Sequence, residues 1–372
     1  MLLEPAPLED WLRDYYFEAS ADISSSGVEP YTFGEVQELL GIDPGELAAV
    51  SFRDSRSAGS DALRALVAQW AGVDDPSRVL VTNGSTEAQL LVLGATLAAG
   101  DEVVVAEPAY HSLISPVRAL GCRVVRWRLR PEEQFRPNLD ELRRVVTART
   151  KMIIVNFPHN PTGVTLTHAE QQQLVEIARS HGSYLFWDGA FEDLAYDAPP
   201  LPAVSARYDR GLSFGSLSKA FGLPGLRVGW GIVPPQVVSD AISLRDYTTL
   251  ALSPLVEHVA ERVLARPERL LRPRMRLATG NRELVRAWIA EHGDDVSCAV
   301  PQAGVVAFPA LARVADTVDF CNRLMKRHGV LLVPGECWDL PGHVRLGFGG
   351  AAADLERGLA ALSVELKSAE DA

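Results

Sequence analysis

Short apolar runs alternate with amphipathic stretches through the middle of the chain. The runs at 78–82, 102–106, 123–127, 152–157, 184–187, 211–214 and 228–233 are rich in β-branched residues and most are nearly continuous in apolarity, as strands covered on both faces are. Between them, 86–98, 112–120, 139–146 and 168–181 read as helices. Alternation of this kind predicts an α/β fold, with a mainly parallel seven-stranded sheet and helices on both of its faces.

The two ends read differently. A short amphipathic helix is expected over 7–17, an exposed irregular loop over 22–34, and a glycine turn leading into a helix over 52–70. Beyond residue 251 come long charged helices through 257–291, a strand-rich stretch at 296–308, a helix at 314–328, strands at 330–333 and 343–348, and a last helix from 353. These predict three parts: an N-terminal arm (1–45) belonging to a smaller domain, a large domain (46–255), and a small α+β C-terminal domain (256–372). A ligand site is expected in the crevice between the domains, at the carboxyl ends of the strands.

Composition narrows the class of protein. With 372 residues, 47% of them hydrophobic and 23% charged, the chain has the make-up of an ordinary soluble protein large enough for two subdomains. A net charge of -12 disfavours a nucleic-acid partner. The four cysteines, Cys122, Cys298, Cys321 and Cys337, lie far apart without a C-x-x-C pair, so neither a disulfide framework nor a metal site is expected, and a reducing cytoplasm fits. Acids among the first residues speak against a signal peptide, and no stretch is apolar enough to predict a membrane span.

The candidate chemistry centres on S-x-S-K-x-x-G-x-x-G-x-R-x-G over 216–229. Here Lys219 sits near two hydroxyls, Ser216 and Ser218, and a cation, Arg227, groups suited to a phosphate. Gly222, Gly225 and Gly229 would let the backbone pass close to a ligand. A solvated lysine in a glycine-rich turn would satisfy the bare S-x-S-K equally well.

Its companions decide the matter. Asn83-Gly-Ser-Thr-Glu87 follows a strand and opens a helix, so Ser85 and Thr86 stand at an anion-binding end, although Ser and Thr also cap ordinary helices. Tyr110 and Asp188 each follow or close an apolar strand, and Asn160 lies in an N-P-T-G turn. Arg345, on the apolar strand Val-Arg-Leu-Gly-Phe, needs an anion as partner.

Taken in order, these motifs resemble the fold-type-I enzymes that use pyridoxal 5'-phosphate (PLP), the aspartate aminotransferase-like group, over nearly the whole chain from about 22 to 366. The resemblance implies PLP as cofactor and an amino acid as substrate. It implies Lys219 as the catalytic residue, forming a Schiff base with PLP and acting as base. Ser85, Thr86, Ser216, Ser218 and Arg227 would hold the phosphate, Tyr110 would stack on the pyridine, Asn160 would donate to its O3' oxygen and Asp188 would pair with its nitrogen. Arg345, helped by Asn160, would bind the substrate carboxylate, which the backbone around Ser25, Ser26 and Gly27 would also meet. A homodimer with shared active sites is implied, 247–253 being one such shared loop. The sequence departs from the group at Phe191, where a tyrosine usually serves O3'.

Four strings, at 23–28, 31–35, 187–191 and 245–257, resemble more narrowly the PLP-dependent cyclases of antibiotic biosynthesis. That likeness implies (2S,3S)-3-hydroxyarginine as substrate, α-deprotonation, loss of the β-hydroxyl as water, and addition of the guanidine to the β-carbon. Asp22, Glu29, Asp54 and Glu192 are the candidate acids for holding the guanidinium or protonating the leaving hydroxyl. Two other readings stay open: an ordinary aminotransferase, and a PLP-binding regulator, against which the want of a basic N-terminal arm counts.

Overall fold

The computed structural model describes residues 3–370. Residues 1–2 and 371–372, the ends of the expected arm and C-terminal domain, lie outside the described residues. Seven strands form the main sheet: β1 (Val79–Thr82), β2 (Glu102–Glu107), β3 (Arg123–Arg128), β4 (Thr150–Asn156), β5 (Tyr184–Asp188), β6 (Gly211–Ser216) and β7 (Gly229–Ile232). Their order is β1-β7-β6-β5-β4-β2-β3, with only β7 antiparallel to its neighbours.

Each expected strand is present within a residue or two, because central strands buried on both faces leave an uninterrupted apolar signature. Along β4, Met152 and Ile154 enter one core with the helices Ser85–Thr96 and Pro235–Arg245, while Ile153 and Val155 enter another with His168–His181. The edge strand β3 is instead lined with arginines, which discourages pairing with another chain. The helix His168–His181 has the bounds its sequence predicts, set by a capping box between Thr167 and Glu170 and by Gly182 in the left-handed region at φ 65°.

The terminal segments pack together. Ala21–Asp22 pairs in parallel with Val330–Leu331, and Val344–Gly347 lies between Val306–Ala307 and Val333–Pro334. The helices Glu268–Glu291, Thr317–His328 and Ala352–Glu370 cover them. The stretch 296–308 is less regular than its sequence suggests, holding only Val296–Ser297 and Val306–Ala307 as strand, because its middle follows the turn at Gly163, whose carbonyl accepts from Gln302 and Ala303. The boundary expected after residue 255 falls inside the helix Pro254–Ala265, whose Glu257 accepts from Ser55 and Ser60.

One expectation fails in part. The first part of the loop at 22–34 is not exposed: Ile23, Ser24, Ser26, Gly27 and Val28 are buried, whereas Pro30 and Thr32 to Gly34 do face solvent, and Phe33 already begins a helix to Leu40 capped by Thr32 and Glu35. Serines and glycine suggested a solvated linker, yet their polar backbone is satisfied internally. The Ile23 carbonyl accepts from Gly347 N–H (2.8 Å), Glu29 N–H donates to Gly349 (2.8 Å), Val28 N–H to Lys219 (3.1 Å) and Tyr31 N–H to Gly222 (2.9 Å).

Candidate active site

The register of the sheet assembles the site. Asn156 at the end of β4 is opposite Asp188 on β5, and Ser216 on β6 is opposite Gly229, which is itself opposite Thr82 on β1. The turn carrying Lys219 and the turn Asn83–Thr86 therefore leave the sheet side by side, at the carboxyl ends of the parallel strands.

Close approach at two glycines joins these turns. Gly84, at φ +85°, has the Arg227 guanidinium against it, where any β-carbon would collide, and a β-carbon on Gly229 would run into the Ser85 N–H. The helix Ser85–Thr96 is capped by Gly84, which has no side chain to satisfy the N–H groups of its first turn. Arg227 is exposed, with its Nη1 donating to the Pro224 carbonyl (2.9 Å), and Ser218 N–H donates to Ser216 Oγ (3.3 Å). Helix N–H groups, hydroxyls and a guanidinium thus stand side by side, a set suited to a dianion. Gly225, expected to line this passage, has open space around it.

Lys219 lies against the N-terminal loop. Its Nζ donates to Ser26 Oγ at 3.0 Å, and its side chain runs alongside Gly27. Burial lowers its pKa to about 8, the positive charge of Arg345 pushes the same way, and Glu9 and Asp188 oppose both. Nζ stands 6.0 Å from the centre of the Phe191 ring.

Asp188 is buried, and burial raises its pKa to about 6 against hydrogen bonds from the Ala190 N–H (3.1 Å) and Gln89 and against the charge of Lys219. Asn156 Nδ2 fixes the strand end by donating to the Asp188 carbonyl at 2.9 Å. Arg345 is 1% exposed. Its Nη1 donates to Asn160 Oδ1 (3.1 Å) and its Nη2 to the Ser24 carbonyl (2.8 Å), while its buried Nε has no partner among the described residues. Asn160 is held by its own N–H, which donates to Asn156 Oδ1 at 2.9 Å.

Tyr110 donates from its hydroxyl to Glu9 Oε1 at 2.5 Å, and burial together with that carboxylate raises its pKa. Beside it His159 is buried between Thr162 Oγ1 (2.8 Å) and the Pro108 carbonyl (2.9 Å), and burial drives its pKa down to about 4, so it is neutral.

Of the four candidate acids, three are otherwise placed. Asp22 accepts from Ser24 N–H (2.7 Å) and Oγ (2.6 Å), Glu29 pairs with Arg274 (2.8 Å), and Asp54 is exposed. Glu192 sits near the site, but burial and the charges of Asp193 and Asp188 raise its pKa. Ser25 spends its hydroxyl locally, accepting from Gly27 N–H at 3.2 Å.

Three groups escaped the sequence reading. Gln89 lies one turn beyond Ser85 on the same helix, and that spacing could have found it. His159 directly precedes Asn160, and its place beside the N-P-T-G turn is the signal that could have found it. Glu9 gives no sequence signal, since it lies on the separate helix Pro7–Tyr15.

The residues fit PLP on their own geometry. The Arg227 guanidinium beside the helix N-terminus at Gly84 and Ser85 suits a phosphate, Tyr110 offers a ring, a buried Asp188 calls for a cation such as a protonated pyridine nitrogen, and the unpartnered Nε of Arg345 calls for a carboxylate. Among the described residues no group of three or more His, Cys, Asp or Glu could hold a metal ion, and no helix is long and apolar enough to cross a membrane.

The chain belongs to the class I and II aminotransferase family, whose model matches residues 53–362. Within that family it is 48% identical to capreomycidine synthase of Streptomyces vinaceus over 369 residues, covering 98% of this chain and 94% of the relative. Its structure matches that of the PLP-dependent cyclase OrfR with a TM-score of 0.94 at 41% identity, over 99% of this chain and 98% of the other. The fold is aspartate aminotransferase-like, matching the Thermus thermophilus aspartate aminotransferase with a TM-score of 0.86 at 24% identity, over 98% and 97% of the two chains.

Proposed function

We propose that this chain is a PLP-dependent cyclase of antibiotic biosynthesis that converts (2S,3S)-3-hydroxyarginine to capreomycidine. The observation that carries the reading is the 48% identity to capreomycidine synthase over 98% of the chain.

In this reading Lys219 Nζ is the point of covalent attachment of PLP. Ser85, Thr86, Ser216, Ser218 and Arg227 hold the phosphate, Tyr110 flanks the ring, Asn160 Nδ2 donates to O3', and Asp188 pairs with the ring nitrogen. When bound, PLP supplies an electron sink for the charge left on the substrate's α-carbon.

The protein's own groups do the rest. Arg345 takes the α-carboxylate through its unpartnered Nε and neighbouring N–H groups, with the Ser25–Gly27 backbone beside it. That grip orients the α-hydrogen toward Lys219. Set free when the substrate's amino group takes its place, the buried, weakly basic Lys219 Nζ would remove that proton, with Ser26 Oγ close enough to steady the ammonium it forms. Glu192, whose pKa is raised by burial and by the charges of Asp193 and Asp188, is a source for the proton that leaves with the β-hydroxyl as water. The guanidino nitrogen then bonds to the β-carbon and closes a six-membered ring, giving up a proton that restores Glu192, and Lys219 returns a proton to the α-carbon. Holding the guanidine against the β-carbon can supply roughly 7 to 11 kcal/mol in well-oriented cases, which favours ring closure over release of an unsaturated product.

The same proposal takes the protein as a cytoplasmic homodimer. It assigns 1–45 and 256–372 to a smaller domain, 46–255 to the PLP-binding domain, and the loop 247–253 to the site of the partner.

Mass spectrometry of the PLP-loaded protein with 3-hydroxyarginine and no 2-oxo acid tests the reading. A stable cyclic product one water lighter is expected. Ammonia and a 2-oxo acid would instead mean elimination without closure. Inertness until a 2-oxo acid is added, followed by amino transfer, would favour the aminotransferase reading, which has the family match on its side.

A further inference from the structure

We propose that Glu9 is the specificity-determining residue of this site, its carboxylate receiving the cationic side-chain head of the substrate while Arg345 receives the α-carboxylate. The inference rests on the reading of the site as one for an arginine-derived amino acid.

The helix Pro7–Tyr15 that carries Glu9 is pinned in place. Leu8 is 4% exposed within the core that Tyr110 borders, Trp11 Nε1 donates to the Leu332 carbonyl at 2.8 Å, and the Tyr15 hydroxyl donates to Asn322 Oδ1 at 2.7 Å. Glu9 is therefore presented from a fixed element, as a discriminating contact requires.

Its carboxylate is half satisfied. Oε1 takes the Tyr110 hydroxyl at 2.5 Å, whereas among the described residues nothing donates to Oε2 and no Lys, Arg or His forms an ion pair with Glu9. A half-buried carboxylate without a cation of its own, near Lys219 and Arg345, lacks the partner that charge-assisted hydrogen bonding would supply. Its field reaches the reacting centre, for Glu9 is among the charges that raise the pKa values of both Lys219 and Arg345 against the larger effect of burial.

Other acids near the site are committed or unsuited. Asp22 is taken up by Ser24 and Glu29 by Arg274, Asp188 lies on the side of the ring nitrogen, and Glu192 is pushed toward its neutral form. Glu9 alone of this set combines an open oxygen with a place against Tyr110. A guanidinium can meet that oxygen edge-on while the tyrosine hydroxyl fixes the other.

The test is isothermal titration of the PLP-loaded wild type and Glu9→Gln with L-arginine, L-citrulline and L-norvaline. None has a β-hydroxyl to lose, and citrulline replaces the guanidinium with a neutral urea of the same shape. The wild type should bind arginine about 10- to 100-fold more tightly than citrulline. Glu9→Gln should lose that preference and hold norvaline within about twofold of the wild type. An arginine preference retained in Glu9→Gln overturns the proposal, as does a parallel loss of norvaline binding, which would mark a merely structural role. A wild type without any arginine preference removes instead the arginine-derived substrate, and with it the ground for assigning Glu9.

Discussion

Burial sets the protonation of the central residues more than any pairwise contact does. Lys219 has its pKa lowered to about 8, so an appreciable fraction of its amine is uncharged near neutral pH, as a base must be. Asp188 is shifted the other way, to about 6, and this makes a prediction for the cofactor-free protein. An acid whose folded pKa exceeds its unfolded value binds its proton more tightly when folded. Its stabilising effect is full below about pH 4 and is lost as pH rises through about 6. Between about pH 4 and pH 7, Asp188→Asn should therefore gain on the order of 3 kcal/mol over the wild type in urea unfolding, and curves that stay parallel would refute the shift. Arg345 lends itself to kinetics. Arg345→Lys keeps the charge but loses the planar fork, so KM for the amino acid should rise about 10- to 100-fold with a smaller change in kcat. A fall in kcat alone would place Arg345 elsewhere in the reaction. At this scale the sequence was readable where a residue's type and its motif coincide, as at Lys219, Asn160 and Asp188. It was silent at Glu9, which reaches Tyr110 only through packing of a helix a hundred residues away in the chain.

The elements divide in a similar way. Six of the seven strands were legible because they are covered on both faces and their apolar runs carry that fact locally, while the edge strand β3 showed itself by its β-branched and aromatic residues alone. The loop at 22–34 was misread because its burial depends on partners at 219–222 and 347–349 that no local pattern announces. Those partners are fitted closely: a methyl group on Gly347 would collide with the Ser25 carbonyl, and one on Gly349 with the Gly27 carbonyl. Gly347→Ala should thus push the loop off the strand Val344–Gly347, costing about 1 to 3 kcal/mol in urea unfolding. It should also weaken amino-acid binding, since the same loop supplies Ser26 to Lys219 and a carbonyl to Arg345. Unchanged stability and affinity in this variant would show that the loop yields without consequence.

For the whole molecule, the parallel sheet carries the strand-end groups, while the N-terminal loop and the strand Val344–Gly347 bring Ser26 and Arg345 to them from the far ends of the chain. Assembly of copies is expected to complete the crevice. Tyr247 is 90% exposed and Leu250 57%, with the latter held at φ 59° in a loop that offers apolar side chains to solvent. Sedimentation equilibrium should find a dimer, and Tyr247→Asp should shift it toward monomer with a matching loss of activity. A fully active monomer would exclude shared sites. The central claim, that the α-carbon's electrons are used to expel the β-hydroxyl and close a ring, is tested most directly by proton NMR of the PLP-loaded enzyme acting on (2S,3S)-3-hydroxyarginine in D2O without a 2-oxo acid. The account predicts a cyclic guanidino amino acid carrying one deuteron at the α-carbon. A spectrum that stays that of the open-chain substrate, with exchange at the α-carbon but no ring, would contradict it.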